Sequence, residues 1–332
     1  MNLYDQQRSN RRRTWLVMLA FLAFFLFLGV GFDAFYLGAL GGGVPIGSVL
    51  ALGVGSVSAA VSYFSGDRAV LLSTAAQPVE ELQASATEAD RLKLRQLENV
   101  VDEMAIASGL PRPKVYVVPD ADPNAFATGR DPAHASLAVT RGLLDTLDRE
   151  ELQGVVAHEM SHIRNLDVRV MTMVAALAGA VALLADWARR GMMWGGGRRR
   201  ALDRSGGDDE RGSGATGIIF LAVWLIAILI APLLSQLLAM MVSRRREYLA
   251  DASGAELTRN PLGLARALEK IDAAAAPTVV VNRGTAHLCI ADPLGRPMNL
   301  RQGAWANLFA SHPPMAARIA ALREMAFQGR PA

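Results

Sequence analysis

Hydrophobic and polar positions along this chain fall into long blocks rather than an even mixture. The run from Trp15 to Phe32 carries no charge and follows Arg11-Arg12-Arg13. It approaches the ~20 apolar residues that a helix needs to cross a bilayer core. A signal peptide also begins with basic residues, but this run is longer than a usual signal core and lacks a small-residue cleavage site. A second uncharged run, from about Phe35 to Ser65, is rich in Gly, Ala and Ser, and such small residues let spanning helices approach closely. Gly41-Gly42-Gly43 and Pro45 supply the connecting turn. Residues 1–66 thus read as an N-terminal transmembrane hairpin.

Over residues 67–167 the pattern becomes that of a folded polar domain. From Thr87 to Ser108, apolar residues such as Leu94, Leu97, Val101 and Met104 recur at helical spacing, and Gly109 follows as a stop. Three short strands are expected at Lys114 to Val118, Ala125 to Thr128 and Ser136 to Thr140, separated by Pro, Asp and Gly. Asp148 with Glu151 forms a capping-box signature for a helix running to about Asn165.

Two more apolar segments occupy 168–188 and 217–242. Between them, 189–216 is a Gly/Arg-rich loop with no packing pattern, expected to be disordered. Residues 243–332 read as a second soluble, mostly helical part, with a polar Pro/Gly-rich stretch from Pro277 to Arg301. The expected fold is a mainly α membrane protein: about four transmembrane helices and an α+β catalytic domain with a small sheet, its two parts separated by the third and fourth segments.

Composition agrees with this plan. The chain has 332 residues, 52% of them hydrophobic. Its net charge is only +3, and its arginines cluster beside apolar runs rather than in a basic patch, so a nucleic-acid partner is not indicated. Cys289 is the single cysteine, which excludes an intramolecular disulfide and fits a reducing compartment.

The chemistry concentrates in His158-Glu159-Met160-Ser161-His162. Histidines four apart on a helix lie one turn apart on one face and can share a metal. Glu159 lies where a carboxylate can take a proton from water at that metal. Zinc suits imidazole ligands and an open position for water, with one Zn2+ expected per chain. A chance pairing of surface histidines is the bland alternative, but the chain has only five histidines. The metzincin extension is absent, because Asn165 and Asp167 stand where its glycine and third histidine would lie nearby. Glu247 and Asp251 are also four apart, in Ser243-Arg-Arg-Arg-Glu-Tyr-Leu-Ala-Asp251. Glu247 could be the third ligand and Asp251 could hold a ligand histidine through its other ring nitrogen. On spacing alone, a solvated acidic face paired with Arg244 to Arg246 is an equal reading.

Four ordered stretches carry a resemblance: His158-Glu-Met-Ser-His162, Glu247-Tyr-Leu-Ala-Asp251, Pro123-Asn-Ala-Phe-Ala-Thr-Gly129 and Ser311-His-Pro-Pro-Met-Ala-Ala-Arg318. Together they resemble the HtpX group of membrane zinc metallopeptidases, related to the CAAX prenyl proteases. The resemblance implies a zincin-type, gluzincin-like domain with Glu247 as the third zinc ligand. It implies that Asn124, Ala125 and Phe126, with the strand near Ser136 to Thr140, border a substrate cleft where an extended peptide could add to a strand edge. It also places His312 and Arg318 close to the active site, to support the transition state or to brace the metal-binding helices. His134 and His287 read as surface residues. The 189–216 loop looks longer than the family's usual connection.

If His162 and Glu247 bind one metal, the third and fourth segments leave and return on one face, which the N-terminus shares. Arg11 to Arg13 and Arg244 to Arg246 mark that face as cytoplasmic under the positive-inside rule, although Arg198 to Arg200 in the opposite loop run against it. The expected protein is a multi-pass enzyme of the cytoplasmic membrane with its active site facing the cytoplasm. It would cleave peptide bonds of protein substrates in quality control of misfolded membrane proteins. A CAAX-type prenyl-peptide protease is the rival within the enzyme class, and a membrane scaffold or transporter with an inactive metal site is the rival outside it.

Overall fold

A computed structural model describes residues 3–35, 44–177, 244–274, 285–291 and 313–328. The described part is mostly helical, with one small sheet. In chain order it contains α1 (Leu3–Phe35), α2 (Ile46–Ser73), β1 (Gln77–Pro78), α3 (Val79–Ser85), α4 (Glu88–Ser108), β2 (Lys114–Val118), β3 (Ala125–Gly129), β4 (Ala135–Thr140), α5 (Arg141–Thr146) and α6 (Arg149–Arg164). A helical stretch over 167–177, α7, follows. Beyond it lie α8 (Arg244–Thr258), α9 (Pro261–Ala273) and α10 (Met315–Gln328). The turn expected at Gly41 to Gly43, most of the third apolar segment, the 189–216 loop and the fourth apolar segment lie outside the described residues.

The described residues divide into two compact units. One contains Trp15–Val61; the other contains the residues up to Thr14, Ser62–Ala176 and those from Arg244 onward.

In the first unit, α1 and α2 approach so closely that a Cβ on Gly29 would lie 2.7 Å from Gly47 O, which only a residue without a side chain allows. Asp33 accepts from Gly47 N (2.6 Å), Ser48 N (2.8 Å) and Ser48 Oγ (2.6 Å), satisfying donors that the first turn of α2 cannot pair internally. Asp5–Ala34 and Ile46–Ser73 are the two helices, among the described residues, long and apolar enough to cross a membrane. α2 continues past Ser65 through Asp67 and Arg68 to Ser73. The cause is tertiary: its last turns bury Val70 and Leu71 in a cluster with Val118, Phe126 and Met171.

In the second unit the sheet has strand order β1-β2-β4-β3, with β2 and β4 parallel and β3 antiparallel to β4. α4 starts at Thr87, whose hydroxyl accepts from Asp90 N, and stops at Gly109, where φ is +67°. Its face Leu94, Leu97, Val100, Val101 and Met104 is buried. Each such side chain stabilises by about 1.5–3 kcal/mol relative to exposure. α6 begins in a complete capping box, with Glu151 N donating to Asp148 Oδ1 (3.0 Å) and Asp148 N to Glu151 Oε2 (2.9 Å). Its buried face joins the core with Val155, Val156 and Met160. Gly154 lets α9 pack directly onto it, since a Cβ there would lie 2.8 Å from Leu264 Cα.

Candidate metal centre

α6 turns His158, Glu159 and His162 inward, where all three are buried. Opposite, α8 presents Glu247, Asp251 and Gly254 on one face at helical spacing. Gly254 sets the distance between the helices: a Cβ on it would lie 3.0 Å from His158 N and 3.2 Å from His158 Cα.

Ligand atoms of His158, His162 and Glu247 lie within 4.8 Å of one another. The two Nε2 atoms are 3.2 Å apart, and Glu247 Oε2 and Oε1 are 3.7 and 3.6 Å from His158 and His162 Nε2 respectively. Each imidazole is held from behind. His158 Nδ1 faces Asp251 Oδ1 at 3.0 Å, and His162 Nδ1 faces Asp167 Oδ2 at 3.1 Å. A carboxylate accepts and does not donate, so a neutral imidazole at either position keeps its proton on Nδ1 and turns its Nε2 lone pair into the space they share.

Arg318, fully buried, forks onto Asp251 through Nε (2.8 Å) and Nη2 (2.7 Å), and its Nη1 donates to Ile290 O (2.8 Å). It also stands 3.5 Å from Glu247 Oε2. Burial pushes the Asp251 carboxyl up, but the Arg318 charge and hydrogen bonds, with His158, outweigh it and hold it at about 2.

Protonation here reflects excess negative charge. Burial raises Glu159, the neighbouring Glu247 adds to this, and the carboxyl is pushed up to about 7. Burial opposes a charge on His162, yet the bond to Asp167 and the charges of Glu247, Asp167 and Glu159 lift it to about 9. His158 goes the other way, lowered chiefly by burial.

These residues fit a divalent metal on three counts. Ligands about 2.0–2.1 Å from a tetrahedral ion stand about 3.3 Å apart, close to the Nε2 separation of 3.2 Å. Two lone pairs facing each other at that distance repel unless a cation or proton lies between them. Around the two histidines, the buried carboxylates Glu159, Asp167, Glu247 and Asp251 outnumber the buried guanidinium groups Arg246 and Arg318, an excess of negative charge that a divalent cation would offset. Glu159 Oε1, buried and without a hydrogen-bond partner among the described residues, points to a small polar species beside the cluster.

A model of peptidase family M48 matches residues 91–326. The chain belongs to peptidase family M48. It is therefore a metallopeptidase, and with its two candidate spans it is a membrane protein. It is similar to "Protease HtpX homolog" of Streptococcus gordonii, 40% identical with 97% of this chain and 100% of that protein covered. The corresponding protein of Thermoanaerobacter pseudethanolicus is 41% identical, with 97% and 98% covered. Among solved structures it resembles the crystal structure of S. mikatae Ste24p, at 17% identity and a TM-score of 0.46, over 96% of this chain and 67% of that one.

Other expected positions of this M48 chain are placed as follows. Asn124, Ala125 and Phe126 are buried on β3 and in the turn before it. Their outer edge is paired over this length: Ile290 N donates to Ala125 O (2.9 Å), Asn124 Nδ2 donates to Ala291 O (3.1 Å), and Phe126 bridges Cys289. β4 lies between β2 and β3, so the strand expected near Ser136 to Thr140 is interior and offers no edge. His312 lies outside the described residues. His134 is exposed beside Asp131, whereas His287, expected at the surface, is buried with Nε2 3.2 Å from Met171 O. Packing of the 286–288 turn against β3 and α7 overrides the polarity of its sequence. Asp167 and Asn10 carry no expected role, and Arg246 is expected only as part of a basic cluster, yet all three are buried and linked to His162 through Asp167. The signal available for Asp167 was its place one turn beyond His162.

Proposed function

We propose that the chain is a zinc-dependent endopeptidase in which His158, His162 and Glu247 hold the metal and Glu159 is the general base. The convergence of the two Nε2 atoms and Glu247 on one buried point carries this reading. A zinc ion bound there would polarise the scissile carbonyl and make its water a stronger acid. Glu159 accepts the water's proton at Oε1 and delivers it to the departing amine, forming no covalent link to the peptide. The Ala127 N–H donates to the Glu159 carboxylate and so helps to orient it. A carboxyl raised to about 7 by burial can both take and return a proton near neutrality. Asp251 and Asp167 fix the ligand rings, and Arg318 braces Asp251.

The wider assignment extends the same reading. The fold is a zincin-type domain carried by about four spanning helices. The hydrogen bond from Asn10 to Asn165 O, just past the end of α6, supports a topology in which the N-terminus shares the site's side of the membrane. Arg11 to Arg13 then favour a cytoplasmic active site. The HtpX resemblance supports misfolded membrane proteins as substrates.

The test pairs metal analysis with proteolysis. Wild type and Glu159→Gln purified alike should both carry one zinc, while only wild type cleaves an unfolded membrane protein. Cleavage by Glu159→Gln at the wild-type rate would refute the mechanism.

A further inference from the structure

The first turns of α1 bury polar side chains at every fourth position: Gln6 is 4% exposed, Asn10 0% and Thr14 3%. Buried polar groups are as a rule hydrogen-bonded, and the Asn10 amide nitrogen is, whereas its Oδ1 has no partner among the described residues. The partner surface here is the C-terminal end of α6 and the turn after it. Gln7 Nε2 donates to Arg164 O (2.8 Å). Asn10 Nδ2 donates to Asn165 O (2.9 Å) and to Asp167 Oδ1 (2.7 Å). Both partners only accept, so the amide nitrogen, not its oxygen, must face them.

Asp167 divides its oxygens between two tasks. Oδ2 faces His162 Nδ1 at 3.1 Å. Oδ1 is taken by Asn10, with Arg246 Nη1 farther away at 3.4 Å. A carboxylate held on one oxygen can still rotate about its Cβ–Cγ bond; held on both, it presents Oδ2 in one direction. That direction sets the plane of the His162 ring and aims its Nε2 at Glu247 and His158.

We propose that Asn10 is a positioning residue of the metal centre. By anchoring Asp167 it orients His162, so metal affinity depends on the polar foot of the first membrane helix. The inference rests on His162 being a metal ligand. Removing a partner of a ligand typically weakens metal binding roughly 10–100-fold, and Asn10 stands one hydrogen bond farther out, so the expected loss lies near the lower end, about tenfold.

The test measures zinc affinity of the full chain in detergent, by competition with a chromophoric chelator. Asn10→Ala is expected to bind about tenfold more weakly than wild type. Asn10→Asp, isosteric with asparagine, is expected to lose more, because it sets a carboxylate against Asp167. Asn10→Ser, which keeps one donor, is expected to lose less. Gln7→Ala removes a neighbouring docking contact without touching Asp167 and should bind zinc like wild type. Wild-type affinity in Asn10→Ala, or equal losses in Asn10→Ala and Gln7→Ala, overturns the proposal. Should Asn10→Ala fail to fold, Asn10→Leu, close to asparagine in size and without a donor, decides instead, and wild-type affinity there overturns the proposal equally. Failure of the underlying reading looks different: His162→Ala itself would then bind zinc as wild type does.

Discussion

Gly254 packs against the backbone of His158, so that a single added carbon would stand 3.0 Å from His158 N. This contact sets how near α8 brings Glu247 to the histidines. Gly254→Ala therefore combines two opposed effects. A helix-interior alanine is favoured over glycine by about 1 kcal/mol, and forcing the two backbones apart costs about 1–3 kcal/mol. Stability should fall by up to about 2 kcal/mol, and zinc affinity, read by chelator competition, should fall because Glu247 moves away from the histidines. Gly254→Val, with two more carbons, should lose both.

Glu159→Gln keeps the shape of the side chain and removes its basicity. General-base catalysis supplies roughly 10²–10⁴-fold. Turnover should drop by at least about a hundredfold, with zinc content unchanged by elemental analysis.

Arg318 is buried against Asp251 in a two-pronged contact. Arg318→Met leaves the Asp251 carboxylate buried without its partner, which typically costs about 3–5 kcal/mol. Arg318→Lys should recover only part of this, since an ammonium cannot reach both oxygens in the same fork. Denaturation in detergent, followed by near-UV dichroism, measures the order wild type, Lys, Met.

Protons would compete with a metal for this centre. In the metal-free protein His162 is raised to about 9, so its stabilising charge is fully present below its ordinary value of 6.5 and is lost as pH rises through about 9. Glu159 is raised from 4.5 to about 7. The folded state thus binds more protons than the unfolded one between those values, and stability falls as pH rises across that window. Both shifts make chelator-treated protein less stable as pH rises from 6.5 to 9, above the range in which the lowered His158 acts in the opposite sense. Zinc binding must displace such protons, so its apparent affinity should rise about tenfold per pH unit for each proton released. A flat affinity profile over that range would contradict the proton assignment.

Local signals were readable because local energetics made them. The Asp148/Glu151 capping box, the Gly109 stop, the apolar face of α4 and the three strands each depend on residues a few positions apart. α2 runs beyond the uncharged stretch that ends near Ser65 because distant packing holds Val70 and Leu71 in the helix, which the charges of Asp67 and Arg68 do not reveal. His287 looked like a surface residue for the same reason.

The sequence by itself determined that His158 and His162 share one face, since helical spacing alone puts them there, and it determined the two candidate N-terminal spans, since length and hydropathy are properties of a continuous segment. Only the tertiary structure decided what stands behind each ring: Asp251 with Arg318 behind His158, Asp167 with Asn10 behind His162. Asn10 and Asp167 are separated by 157 positions. No periodicity or capping rule connects residues at such a distance. Their meeting is fixed by how whole helices pack, and by the free-energy cost of leaving a buried amide and a buried carboxylate unpaired.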